Sequence, residues 1–178
     1  MLDMGGRMPK KRNSARKKPA QQKRPEEKAF VFWPFGLLIF SALLFADQYS
    51  KSIIVSDYAL HQPVKVLPGL WFTYVQNTGI TWGFMQGVNE AMIWLSVTVF
   101  GLLLYFYDKF ETVIEKICYT LLLAGLWGNL LDRGIHGFVI DFIDVGWWPV
   151  FNIADACITT GVIVLILEQI RKSRQEHA

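Results

Sequence analysis

The chain has 178 residues, of which 52% are hydrophobic and 15% aromatic, too apolar for an ordinary soluble domain of this length. Its charge is segregated: of 18 lysines and arginines, ten lie in the first 28 residues, and Arg171, Lys172 and Arg174 close the chain. A net charge of +3 carried at the two ends is no argument for nucleic acid, which is not expected as a partner.

In chain order, residues 1–29 predict a basic, disordered cytoplasmic tail that sets topology; such a tail beside a span can also hold anionic lipid. The first hydrophobic stretch covers about 30–48, with Pro34 near its start, where proline costs little. It lacks a small-x-small exit and ends in Ala46-Asp47-Gln48-Tyr49-Ser50-Lys51, which reads as a retained span rather than a cleaved signal. Residues 63–75 read as two short strands about the Pro68-Gly69 turn. Trp71, Phe72, Tyr74, Trp82 and Phe84 suggest that this region rests at a membrane interface. Further spans are predicted at about 91–107, 113–131 and 151–170, each near the roughly 20 residues that cross a bilayer. Glu115 and Lys116 should reach from the third span to the surface.

The fold class is thus an all-α integral membrane protein: four transmembrane helices with a small extracytoplasmic β-sheet. Its domains are a tail at 1–29, a four-helix membrane domain at 30–170 with an outer β region at about 52–90, and a second cytoplasmic tail at 171–178. In this topology fifteen of the 18 cations fall on one side, leaving Lys51, Lys65 and Arg133 on the other. The positive-inside rule then puts both termini in the cytoplasm and residues 51–90 and 132–150 outside.

Asp155 opens the last apolar run, in Phe151-Asn152-Ile153-Ala154-Asp155-Ala156. An Asp at the centre of a spanning helix costs roughly 2.5–3.5 kcal/mol, somewhat less near an end, so it needs a partner or a role. Asp141 has equally apolar neighbours in Phe138-Val139-Ile140-Asp141-Phe142-Ile143. Two acids brought together in such a medium share a proton and can activate a water.

Of the other outer acids, Asp57 and Glu90 lie among polar residues, Asp132 adjoins Arg133 as an ion-pair candidate, and Asp144 lies nearer the Gly146-Trp147-Trp148 loop. Asp47 stands four residues before Lys51, the spacing of a local helical pair. Asn152 shares a helix face with Asp155, and Asn129 follows Gly125 and Gly128, whose small size suits close helix packing. These features alone leave a structural or ion-binding role for the acids as open as catalysis. Cys118 and Cys157 fall in apolar runs, and His61, His136 and His177 are scattered. None has disulfide or metal-ligand spacing, so no metal and no cofactor is expected.

Five blocks together resemble signal peptidase II, the bacterial lipoprotein signal peptidase family. They are Asp47-Gln48-Tyr49-Ser50-Lys51; Asn77-Thr78-Gly79-Ile80-Thr81-Trp82-Gly83; Gly125-Leu126-Trp127-Gly128-Asn129-Leu130-Leu131-Asp132-Arg133; Gly137-Phe138-Val139-Ile140-Asp141-Phe142; and Phe151-Asn152-Ile153-Ala154-Asp155. The resemblance implies an intramembrane aspartic endopeptidase of the bacterial inner membrane. Its substrate would be a diacylglyceryl-modified prolipoprotein, cut on the N-terminal side of the lipidated cysteine, with membrane lipid around it.

By motif position Asp141 and Asp155 match the catalytic dyad. Asn77, Gly79, Asn129, Arg133 and Asn152 match supporting positions, and Asp47 and Lys51 match the first block. Ile80-Thr81-Trp82 departs from the family's small residues and Phe. A monomer is expected. The rival reading, a proton- or cation-coupled carrier, would use the same acids but usually shows an internal repeat, and this chain shows none.

Overall fold

The structure, a computed structural model, describes residues 25–79 and 88–176, with the backbone alone at 25–33, 88, 108 and 176. The basic tail through residue 24, Trp82, Phe84 and His177 lie outside the described residues.

Four helices and a three-stranded antiparallel sheet make up the fold. They are α1 (Pro25–Asp57), β1 (Pro63–Leu67), β2 (Leu70–Asn77), α2 (Val88–Tyr105), α3 (Val113–His136), β3 (Val139–Asp144) and α4 (Ile153–Glu176). By length and composition α1, α3 and α4 can cross a membrane, while α2 is a shorter apolar helix. A helix thus stands at each of the four predicted spans, three of them long enough to cross; α2 stops at Tyr105, short of the expected 107, and α4 starts at Ile153 rather than 151. α1 continues nine residues past the expected end at Gln48, and Pro34 lies inside it rather than in its first turn.

α3 packs against each of the other three helices, most extensively α4. It starts in a capping box in which Thr112 accepts the Glu115 N–H and the Glu115 carboxylate accepts the Thr112 N–H. It ends at Gly137, whose φ of 79° is the left-handed conformation that a glycine adopts without strain. Glu115 does not reach out to the surface as its sequence position suggests. It is buried, and its second oxygen accepts from Lys172 of α4 at 2.6 Å. Charge at that depth is held by a cap and an ion pair.

The predicted hairpin forms about Pro68-Gly69, with Leu67 opposite Leu70. The third strand is β3, which pairs with β2 so that Val75 faces Asp141 and Asn77 faces Val139. The sheet packs on the end of α1 through Ile54, Tyr74, Ile140 and Phe142, with Tyr58 and Phe72 beside them. Tyr74 is thus a buried core residue and Phe72 is half-buried against that core, whereas Trp147 and Trp148 of the β3–α4 loop are exposed. Outside this core the helices turn Leu37, Leu38, Phe45, Trp94, Ile163 and Leu167 outward, the surface expected of helices solvated by hydrocarbon.

Candidate active site

Two short elements carry the two acids. Asp141 is the third residue of β3 and 1% exposed. Asp155 is the third residue of α4, in its first turn. Asn152 immediately precedes α4 and works in both directions. Its Oδ1 accepts the Asp155 N–H at 2.8 Å, and its own N–H donates to Asp155 Oδ2 at 3.2 Å. This reciprocal pair has the form of a capping box, with Asn and Asp in place of Ser/Thr and Glu. The Asn152 amide then donates across to Asp141 Oδ1 at 2.7 Å. One fully buried side chain therefore joins the acid on the strand to the acid on the helix.

Each acid has a second asparagine. Asn77, the last residue of β2, donates from Nδ2 to Asp141 Oδ2 at 2.8 Å. Its Oδ1 is held by the Gly79 N–H at 2.8 Å, which fixes which end of the amide faces Asp141. Gly79 has φ of 85°, a conformation that disfavours a side chain there. Asn129 of α3 donates from Nδ2 to Asp155 Oδ1 at 2.7 Å, and its Oδ1 accepts from Asn152 at 3.1 Å and from Lys51 Nζ at 3.2 Å.

Burial pushes the Asp141 carboxyl up to about 7, and the neighbouring Asp155 charge adds to the rise. The hydrogen bonds from Asn77 and Asn152 and the charge of Lys51 oppose it. Such a rise favours the protonated carboxyl, the form that the acid member of an acid–base pair needs. Asp155 opens onto a cleft of about 400 Å³ lined also by Val145, Trp147, Trp148, Phe151 and Thr159. One acid is thus enclosed and the other faces a space that a substrate can enter.

The residues matched to the family's blocks, Asp47, Lys51, Asn77, Gly79, Asn129, Arg133 and Asn152, fall in or beside this cluster with the two acids. Asp47 and Lys51 form the local pair that their spacing suggests, at 2.8 Å. Arg133, in the last turn of α3, lies within electrostatic reach of Asp155, Asp141 and Asp132. Its Nε is buried without a hydrogen-bond partner among the described residues. Asp132 does not pair with the adjacent Arg133. It meets Lys51 at 2.9 Å, because neighbours on a helix point about 100° apart. Asp144 turns away to accept from Thr73 at 2.9 Å and from the Gly146 N–H at 2.9 Å. Asp57 and Glu90 are exposed. Sequence reasoning passed over Asp132 and Gln48 as parts of the cluster. Gln48 reaches Asp132 Oδ1 at 3.0 Å and Asp47 Oδ2 at 3.2 Å.

A family model described as signal peptidase (SPase) II matches residues 39–171. A lipoprotein signal peptidase of Fusobacterium nucleatum is 37% identical over 147 residues, 79% of this chain and 89% of that relative. One of Syntrophomonas wolfei is 34% identical over 149 residues, 82% of this chain and 97% of the relative. One of Shewanella amazonensis is 37% identical over 141 residues, covering 74% and 84%. Among solved structures, a bacterial membrane enzyme determined by the in meso method at 2.3 Å resolution superposes with a TM-score of 0.73 at 31% identity. The match covers 79% of this chain and 90% of that one.

Proposed function

The chain belongs to the signal peptidase II family, and from that premise we propose that it is an aspartic endopeptidase whose catalytic dyad is Asp141 and Asp155. As a bacterial membrane peptidase of this family it removes signal peptides from prolipoproteins. The finer reading is that the substrate is already diacylglyceryl-modified and is cut N-terminal to the lipidated cysteine. The single observation that carries the aspartic mechanism is the Asn152 bridge, in which one residue holds both carboxyls, Asp141 by its side-chain amide and Asp155 by its backbone N–H.

In the proposed reaction the dyad carries one proton. The ionised carboxyl takes a proton from a water held between the acids, and the water oxygen attacks the scissile carbonyl. The protonated carboxyl donates a hydrogen bond to the carbonyl oxygen as charge develops there. The tetrahedral intermediate then collapses as the amine leaves with a proton, and no acyl-enzyme forms. The shared proton belongs to the pair rather than to either residue. Asn77, Asn129 and Asn152 hold three carboxyl oxygens in place by N–H donors. Arg133, whose buried Nε–H has no partner among the described residues, suits an anionic or carbonyl group of the substrate.

The membrane setting follows the charge distribution. We place both termini in the cytoplasm and the dyad near the outer face, with a monomeric peptidase domain at 30–170 between two cytoplasmic tails. Water then reaches the acids from outside while the signal helix and acyl chains stay in the bilayer.

Purified enzyme in detergent, given a diacylglyceryl-modified precursor and its unmodified twin, tests the whole reading. Asp141→Asn and Asp155→Asn should each abolish cleavage of the lipidated form while the protein remains folded, and Asp144→Asn should retain substantial activity. Near wild-type cleavage by either dyad variant would overturn the assignment. Equal cleavage of the two precursors would remove the lipid requirement.

A further inference from the structure

Behind the dyad, α1 and α3 supply three charged side chains that the hydrolysis does not touch. Lys51 is 1% exposed, Asp47 2% and Asp132 1%. Lys51 Nζ reaches Asp47 Oδ2 at 2.8 Å, Asp132 Oδ2 at 2.9 Å and Asn129 Oδ1 at 3.2 Å, so its three protons are all engaged. Each of these acids also holds one backbone N–H. Asp47 Oδ1 accepts from Ala154, the residue before Asp155, at 2.8 Å. Asp132 Oδ2 accepts from Ile140, the residue before Asp141, at 3.0 Å. The two bonds are equivalent in position, one for each member of the dyad, and Lys51 ties them together.

We propose that Asp47, Lys51 and Asp132 form a positioning clamp that sets the separation of the two dyad acids, with Lys51 as its pivot and Asp132 as the positioning residue for Asp141. The inference rests on the dyad reading above and adds what fixes the dyad's geometry.

Stability alone is a poor explanation of this cluster. Two anions around one cation leave the clamp itself with an excess negative charge, close to two more acids, with Arg133 as the further cation in electrostatic reach. Buried ion pairs are often replaceable by apolar residues at no loss of stability. What apolar residues cannot do is hold the Ala154 and Ile140 N–H groups at a fixed spacing. Gln48 reinforces the clamp without charge, bridging Asp132 Oδ1 and Asp47 Oδ2 from a single Nε2. α4 and β3 are also joined by backbone bonds between Phe151 and Ile143. Those bonds tether the segments beyond Asp141, whereas the clamp grips the residue just ahead of each acid.

The test uses purified full-length enzyme and the lipidated precursor, with Asp132→Asn, Lys51→Met and Gln48→Met compared with wild type and with Asp141→Asn. A displacement near 1 Å at a reacting group costs on the order of 100-fold in rate. Asp132→Asn should therefore lose about that factor in kcat, with KM within about threefold. The pH profile separates positioning beside the dyad from a purely structural role. The charges around Asp141 are Asp155 on α4, Asp47 and Lys51 on α1, and Asp132 and Arg133 on α3. Removing the Asp132 anion should move the alkaline limb of cleavage to lower pH, and removing the Lys51 cation should move it to higher pH.

A lower melting temperature, with kcat of the folded enzyme and the alkaline limb both unchanged, would overturn the clamp. If both charge variants fail to fold, Gln48→Met decides. Loss of its bridging bonds should lower kcat by about fivefold at constant KM, and wild-type kcat in that variant counts against the proposal. Cleavage by Asp141→Asn would bring down the dyad and the clamp together. An inert Asp141→Asn beside a fully active Asp132→Asn would bring down the clamp alone.

Discussion

Asn152 and Asp155 hold each other by reciprocal hydrogen bonds, side chain to backbone in both directions, at 2.8 and 3.2 Å. The helix that enters the membrane therefore begins with a cap built from a catalytic candidate. Starting α4 and orienting Asp155 are one event, and the same asparagine reaches Asp141 at 2.7 Å.

This double role can be separated by substitution. Serine is as good an N-cap as asparagine but too short to span to Asp141. Asn152→Ser should keep α4 and lose about 1–2 kcal/mol of stability from the unmade buried bonds, while kcat falls on the order of 100-fold as Asp141 loses the side-chain donor that ties it to the start of α4. Thermal unfolding and single-turnover cleavage on one preparation measure both. Normal kcat with reduced stability would make Asn152 a cap and nothing more.

Asp141 makes stability depend on pH in an unusual sense. Its carboxyl is pushed up to about 7 in the folded chain, against about 3.9 for an unperturbed Asp. Between these values the folded state keeps a proton that the unfolded chain releases, so stability falls as pH rises and the deficit is complete above about 7. Below about 4 both states are protonated and the group contributes nothing. Asp141→Asn cannot ionise. Its melting temperature should therefore gain on wild type as pH is raised from about 4 to about 8. A constant difference across that range would show that Asp141 ionises normally. Cleavage should decline only as pH rises through about 7, where the shared proton is lost.

The spans and the two acids were legible because hydrocarbon burial imposes long apolar runs, and a carboxylate inside one is conspicuous. The Asp47–Lys51 pair was legible because four residues is one helical turn. Other features are set by contacts distant in sequence. Phe138–Ile143 is an apolar run of the kind that serves a buried strand or a helix equally, and only pairing with β2 makes it β3. Asp132 was read beside its neighbour Arg133, but its partner stands on another helix. Glu115 was read as reaching outward, because the lysine 57 residues away that completes its burial stands on another helix. Ile80, Thr81 and Trp82, where the sequence departs from the family pattern, lie outside the described residues.

Two glycines six residues apart on α3 distinguish positional from general helix effects. A Cβ on Gly128 would lie 2.6 Å from Asp47 Oδ2 and 3.3 Å from the Ala154 Cβ. Asp47 would have to give way, and its bond to the Ala154 N–H, one residue ahead of Asp155, would go with it. A Cβ on Gly134 meets nothing within 4 Å. Gly134→Ala should thus stabilise the enzyme by about 0.5–1 kcal/mol through helix propensity, with cleavage unchanged. Gly128→Ala gains the same propensity but should lose kcat by at least about tenfold, because the displaced carboxylate no longer fixes the start of α4. Parallel melting curves and kcat for the two variants measure the contrast. Equal activity in both would mean that α1 and α3 can move apart at Gly128 without disturbing the acids.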